Sequence, residues 1–299
     1  MKIMRFIGIV FALFSAGSPS DTSAQDSGKK YKVYMVSNSH LDTQWRWDVK
    51  ATIDDYLYNT AVQNLALLEK YPHYVFNFEG AVKYEWIKEY YPHLFERIRK
   101  FVADGRWNIS GASFEANDPN MPSSESFIRN ILLAQEFYKK EFGIKSKDMF
   151  LPDCFGFSQV MPTLGHHCGL IGFSTQKLSW RTEPLVGDSK TPFPIGLWEG
   201  VDGARIMVAL EPGRYSWNEF PEGDLSANEE LAESARKSPF GIAYRYYGNK
   251  LANGAGDHGG SALPRSIQLL EEGITNGKGP VQLVSATSSQ LYEDYMPYG

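Results

Sequence analysis

The chain has 299 residues, of which 42% are hydrophobic and 14% aromatic, and a formal net charge of −5. That much apolar material can bury a substantial core, in one large domain or two small ones. The acidic balance argues against a nucleic-acid partner, which asks for a basic face. Seven Trp and 17 Tyr suit contact with carbohydrate, although most of them will be core.

Residues 1–24 read as a secretory signal. Lys2 and Arg5 form a positive head, Ile7 to Ala16 a short apolar stretch, and Thr22-Ser23-Ala24 supply small residues before a cut. The apolar stretch is short for a membrane span. The expectation is therefore an exported chain, periplasmic or extracellular, with no stable membrane insertion after cleavage and a polar, disordered leader at 25–30. An exported protein can pair its cysteines. A bridge at Cys154 would restrict the turn around it, and Cys154 and Cys168 both read as buried thiols.

From Tyr31 onward the pattern alternates between strand and helix. Tyr31 to Val36 is a strand. Asp54 to Tyr71 carries helical spacing, with Ile53, Leu57, Ala61, Leu65 and Leu68 on one face, and Pro72 stops it. Tyr74 to Phe78 is a strand, Val82 to Tyr91 a helix ended by Pro92, and His93 to Ala103 a further helix. Gly105 turns the chain into a strand at Trp107 to Ser110. Ser124 to Phe142 is a long amphipathic helix with Ile128, Ile131, Leu132, Gln135 and Phe137 towards one side, capped by Ser123 or Ser124 and stopped by Gly143. A strand at Met149, a helix near Leu164, and strands at Gly172 to Ser174 and Ile206 to Val208 continue the pattern. Such alternation implies an α/β fold with a mostly parallel sheet, whose strand-end loops carry the chemistry.

Three strand-end loops hold chemistry-bearing residues. In Ser39-His40-Leu41-Asp42, His40 and Asp42 stand at i and i+2, so an extended backbone points them to one side. Both are residue types that Zn²⁺ accepts, and Trp45 offers a flat face to a sugar ring. The same pattern also reads as a surface loop. In Leu151-Pro152-Asp153-Cys154-Phe155-Gly156, Asp153 sits where a strand should end, and Gly156 relaxes the turn; Asp153 equally reads as a helix cap. In Gly254-Ala255-Gly256-Asp257-His258-Gly259-Gly260, glycines let the backbone approach a ligand closely, or simply make a flexible turn. Glu115 and Asp118 follow a strand; Asp118 reads as a secondary site candidate or as a cap before Pro119. His73, His93, His166 and His167 read as surface or core groups, and Trp180 and Trp198 as core.

Taken together, SHLDTQWRW, Glu85-Trp86-Ile87, Gly105-Arg106-Trp107-Asn108-Ile109-Ser110-Gly111, Asn120-Met121-Pro122-Ser123-Ser124-Glu125-Ser126, PDCFGFS, Thr175-Gln176-Lys177-Leu178-Ser179-Trp180, Trp198-Glu199-Gly200 and GDHGG resemble, in that order, glycoside hydrolase family 38. These are the zinc-dependent retaining α-mannosidases, and the resemblance runs from about Lys32 to the C-terminus. It implies a deformed (β/α)7-type barrel over 31–299, acting on mannose-containing glycans with one Zn²⁺. By resemblance, His40, Asp42 and Asp153 would be zinc ligands, with Asp153 also the nucleophile and Asp257 the candidate acid/base. Trp45 and Phe155 would line the sugar subsite, and Lys177 falls where relatives place a basic residue. Retaining hydrolysis needs two carboxyl groups roughly 5–5.5 Å apart, one kept ionised and one kept protonated. In the family the metal grips the sugar's 2- and 3-hydroxyls, a Lewis-acid template more than a hydroxide generator.

The chain reads as short for that family. A fourth ligand, a His in an HD motif, has no counterpart after His258, and Ser261-Ala262-Leu263-Pro264 departs from the usual run after GDHGG. The expectation is slower turnover, and association through a face the missing domains would cover. Two other readings stay open: a non-catalytic carbohydrate-binding remnant, and a zinc-dependent carbohydrate deacetylase.

Overall fold

Strand β1 (Tyr31–Asn38) is the one on which the sheet is built: every residue from Val33 to Asn38 is buried. A strand buried on both faces reads as a continuous run rather than an alternation, as when other layers cover both sides of a parallel sheet. The structure, a computed structural model, describes residues 30–179, 191–238, 240–248, 250–251, 254–255 and 257–296. The segment 1–24 expected to be a signal, most of the expected leader, Trp180 and Gly256 lie outside the described residues. No helix among the described residues is long and apolar enough to cross a membrane.

The remaining strands are β2 (Phe76–Glu79), β3 (Trp107–Ser110), β4 (Asp148–Phe150), β5 (Gly172–Ser174), β6 (Ile195–Glu199), β7 (Arg205–Ala209), β8 (Ile242–Gly248), β9 (Lys250–Leu251), β10 (Gly254–Ala255) and β11 (Val281–Ser285). β8 pairs with β1 along one edge from Lys32 to Asn38. β11 takes the first half of the other edge and β2 takes Ser37 and Asn38, and β3 follows β2, all in parallel. A second arc runs β4-β5-β7 in parallel, with β6 antiparallel on β7. β9 and β10 form a small antiparallel pair.

The two arcs approach one another at both edges. Beside β3, Ala112 N donates to Asp148 O at 2.9 Å and Gly111 N to Asp148 Oδ1 at 3.2 Å. On the other side, Tyr246 N donates to Pro212 O at 2.8 Å, and Tyr246 OH reaches Ser174 Oγ at 2.7 Å. The fold is thus α/β with mostly parallel strands. The expected barrel is a wrap of two arcs, without a continuous ladder around it among the described residues.

Strand parity separates two cores. Tyr34 and Val36 share one buried cluster with Phe150, Met207, Tyr244, Tyr246 and Tyr292, which come from both arcs and from the helix Gln290–Tyr295. Val33 and Met35 point the other way, into the cluster under the helices Tyr58–Lys70, Ala81–Tyr90, Pro92–Ala103 and Pro264–Asn276. His40 continues the parity of Tyr34, Val36 and Asn38, so it emerges at the carboxyl end of the first cluster.

Several elements differ from the sequence expectation. The first helical stretch begins at Val49, capped by Asp48 through Ala51 N, and passes through a wide turn at Thr52–Leu57. Ser124–Phe142 has the expected bounds, with Ser123 as cap and Gly143 left-handed at φ 75°. Its buried face, however, is Phe127, Ile131, Ala134, Gln135 and Tyr138, and Leu132 is exposed. Gln135 can be inside because it exchanges hydrogen bonds with Ser146, Nε2 to O at 2.7 Å and N to Oε1 at 3.0 Å. The helix Met161–His167 starts after Val160 with no side-chain cap, so Asp153 does not cap it. Cys154 and Cys168 are unbridged and half-buried rather than buried. His73, His93, His166 and His167 are exposed.

Asp148 sits at the junction of the arcs, 1% exposed, and burial pushes its carboxyl up to about 6 against the hydrogen bonds that favour the charge. A folded pKa above the unfolded value contributes stability that is complete below about 3.8 and is lost as pH rises through about 6. Asp148→Asn should therefore flatten the fall in melting temperature between pH 4 and 7. Thermal melts with parallel slopes for the two forms would contradict this.

Candidate active site

β1 runs out at Asn38, and the chain passes through His40 and Asp42 while pairing with a loop more than 200 residues away in sequence. Leu41 and His258 form an antiparallel bridge, Asp42 N donates to Asp257 O at 2.9 Å, and Gly259 N donates to His40 O at 2.9 Å. This pairing brings one ligand atom each of His40, Asp42 and Asp257 within 4.8 Å of one another. Asp153 arrives from the turn after β4, pinned by Leu151 N on Ser174 O at 3.0 Å. Its Oδ2 stands 3.7 Å from His40 Nε2, and its Oδ1 is ion-paired with Lys177 Nζ from the end of the adjacent β5.

His40 is 3% exposed and fixed from both ends. Its Nδ1 lies 2.8 Å from Glu79 Oε1 and its Nε2 lies 3.2 Å from Asp42 Oδ1. Burial alone would lower the imidazole pKa, but the hydrogen bonds to Asp42 and Glu79 outweigh it and push it up to about 10. Burial raises the Asp153 carboxyl, and the Asp257 charge adds to this, while His40 and Lys177 oppose it. Tyr215 OH donates to Asp257 Oδ1 at 2.5 Å, and burial and the neighbouring carboxylates raise its pKa. An imidazole whose far nitrogen is held by a carboxylate, with three aspartates grouped about its near nitrogen, is a donor set that suits a divalent cation such as Zn²⁺. The residues present fit such an ion: His40 Nε2 with carboxylate oxygens of Asp42 and Asp153 would hold it, and Asp257 stands within the same group.

Beside this group lies a cavity of about 210 Å³ whose lining includes His40, Asp42, Asp118, Asp153, Cys154 and Phe155. Phe155 is held by Asn120 Nδ2 on its carbonyl at 3.1 Å, and Lys177 Nζ lies 4.4 Å from its ring centroid. Gly156 is required in this turn: its φ is 80°, and a Cβ would lie 2.3 Å from Asn120 Nδ2. Asp118 lines the cavity and accepts from Asn120 N at 2.9 Å, as the cap reading expects. Trp45 is 55% exposed, edge-on to Trp47 with the Arg46 guanidinium over its ring. His258 stacks on Trp47 at 4.3 Å and meets Tyr56 edge-on.

Sequence reasoning passed over Glu79 and Tyr215. Each had a signal: Glu79 ends β2 just before Gly80, and Tyr215 follows β7 behind the turn Glu211-Pro212-Gly213. Strand-end position was the clue that singled out His40, Asp42 and Asp153, and it was not applied to these two.

The model of the glycosyl hydrolases family 38 N-terminal domain matches residues 30–294, and the chain belongs to that family. It is 31% identical over 276 residues to alpha-mannosidase G of Dictyostelium discoideum, covering 92% of this chain and 24% of that one. It is 32% identical over 265 residues to alpha-mannosidase 2C1 of Homo sapiens, covering 88% and 24%. The chain thus spans about a quarter of the length of these curated relatives. The crystal structure of an alpha-mannosidase from Enterococcus faecalis V583 shares the fold, with a TM-score of 0.68 at 23% identity, over 90% of this chain and 29% of that one.

Lys177→Met should raise the Asp153 carboxyl pKa further, because it removes the ammonium that opposes the effect of burial. Carboxyl ¹³C NMR titration of the metal-free protein reads this directly. An unmoved Asp153 would show that Lys177 does not set its charge.

Proposed function

We propose that this site is the centre of a zinc-dependent retaining α-mannosidase acting on terminal α-mannosides of glycans. The observation that carries the reading is the convergence of His40, Asp42, Asp153 and Asp257 beside a cavity walled by Phe155, in a chain of this family. Zn²⁺, when bound, supplies Lewis-acid grip on neighbouring sugar hydroxyls.

The chain's own residues divide the remaining work. Phe155 gives the sugar ring an apolar wall, with Asp118 across the cavity as a hydrogen-bond acceptor for a hydroxyl. Asp153 attacks the anomeric carbon; its ion pair with Lys177 and the adjoining His40 oppose the effect of burial on its charge. Asp257 protonates the leaving oxygen and then takes a proton from the incoming water. Tyr215, donating to one Asp257 oxygen, fixes the rotation of that carboxyl group so that the other oxygen is presented.

The test is hydrolysis of an aryl α-mannoside by the purified chain, with and without added zinc, alongside Asp153→Ala. The expected outcome is zinc-dependent turnover with retention at the anomeric carbon, and loss of at least about 1,000-fold in Asp153→Ala, since covalent and acid–base groups commonly supply that much. Turnover indifferent to chelation and to Asp153→Ala, or inversion of configuration, would contradict the proposal. Mannoside binding with no turnover would favour the carbohydrate-binding reading instead.

A further inference from the structure

The helix Tyr58–Lys70 buries an apolar face of Ala61, Leu65 and Leu68, and buries Thr60 and Asn64 with it, both 0% exposed. A hydroxyl and a carboxamide cost free energy in such a place unless their polar atoms are matched. They are matched here, by one distant loop. Thr60 Oγ1 accepts from Gly260 N at 2.8 Å and donates to Tyr56 O at 2.7 Å. Asn64 Nδ2 donates to Gly260 O and to Thr60 O, each at 2.8 Å. Asn64 Oδ1 accepts from Tyr74 OH at 2.8 Å, and that hydroxyl lies 2.8 Å from Ser37 Oγ on β1. One turn position away, Ser261 Oγ donates to Gln63 Oε1 at 3.1 Å. At Gly259, where φ is 74°, a Cβ would lie 2.3 Å from Thr60 Oγ1, so the loop backbone lies directly on the helix.

Asp257 is two residues before Gly259. It is the non-glycine residue with positive φ among the described residues, at 59°. A conformation of this kind is strained for a residue with a Cβ and persists where the surroundings over-determine it. The surroundings are the pairing with His40 and Asp42 on one side and the Thr60–Asn64 contacts with Gly260 on the other.

We propose that Thr60 and Asn64 are positioning residues for catalysis. They clamp Gly259 and Gly260 to the helix, and through that backbone they set where the Asp257 carboxyl stands relative to Asp153 and the leaving oxygen. The inference rests on the reading of Asp257 as acid/base. It extends that reading to a helix whose buried polar residues touch no substrate.

The test uses the full chain and two readouts. Hydrogen–deuterium exchange over 257–261 reports the clamp without reference to chemistry. Steady-state kinetics on aryl α-mannosides with a good leaving group (dinitrophenol) and a poor one (phenol) report acid catalysis, because a poor leaving group depends on the proton donor. Thr60→Val, nearly isosteric, and Asn64→Ala should speed exchange in this loop selectively. They should lower kcat/KM about 100-fold on the phenyl substrate, the scale of a 1 Å misplacement, and much less on the dinitrophenyl substrate. Thr60→Ser, which keeps the hydroxyl, should restore both readouts. Unchanged loop exchange, or equal loss on both substrates in folded variants, would overturn the proposal. If Asn64→Ala does not fold, Thr60→Val decides. If Asp257→Ala itself shows no leaving-group dependence, the acid assignment falls, and loop exchange in Thr60→Val alone then upholds or overturns the clamp.

Discussion

His40 has carboxylates of Glu79, Asp42 and Asp153 within 3.7 Å of its ring nitrogens, in a position 3% exposed to solvent. Gathering that much negative charge around one imidazole is tolerable only if a positive charge sits among them, either the imidazolium itself or a bound cation. The fold is arranged to maintain this. β1 delivers His40 and Asp42, β2 delivers Glu79, the turn after β4 delivers Asp153, and the Asp257 loop closes over the top by pairing with the His40 backbone. Lys177 on Asp153 and Tyr215 on Asp257 then give each of those aspartates its own partner.

The parallel strands explain why these groups meet at all. Parallel neighbours end on the same side, so residues from β1, β2, β4 and β5 that are far apart in sequence share one rim. The parity of β1 decides which of its residues look inward at that rim. Tyr34, Val36 and Asn38 fill the interior below, and His40 is the next position in the series.

Much of this was legible in the chain itself. The bounds of Trp107–Ser110, Ser124–Phe142 and Gly172–Ser174 follow from caps, stops and apolar spacing, and the strand-end logic found His40, Asp42 and Asp153. Other parts required the third dimension. β8 was not anticipated, although it holds the full length of one β1 edge, because Tyr244, Arg245, Tyr246 and Tyr247 show no clear alternation. Leu132 reads as buried from its apolar side chain and its place beside Ile131, yet the buried stripe runs through Phe127, Ile131, Ala134, Gln135 and Tyr138 and leaves it exposed. Thr60 and Asn64 lie on a face that reads as purely apolar when only Leu and Ala are counted. Their purpose appears only when Gly260 is seen against them. Glu79 likewise gains meaning only through His40.

On the proposed reading, these side chains hold one metal ion at one place. The most direct measurement is a crystal structure of the zinc-loaded chain with anomalous data at the zinc edge. The expected result is a single strong peak within about 2.0–2.1 Å of His40 Nε2 and about 2.0–2.2 Å of oxygens of Asp42 and Asp153, with Glu79 still on Nδ1. A peak elsewhere, such as at the exposed pair His166 and His167, with none at His40, would contradict it.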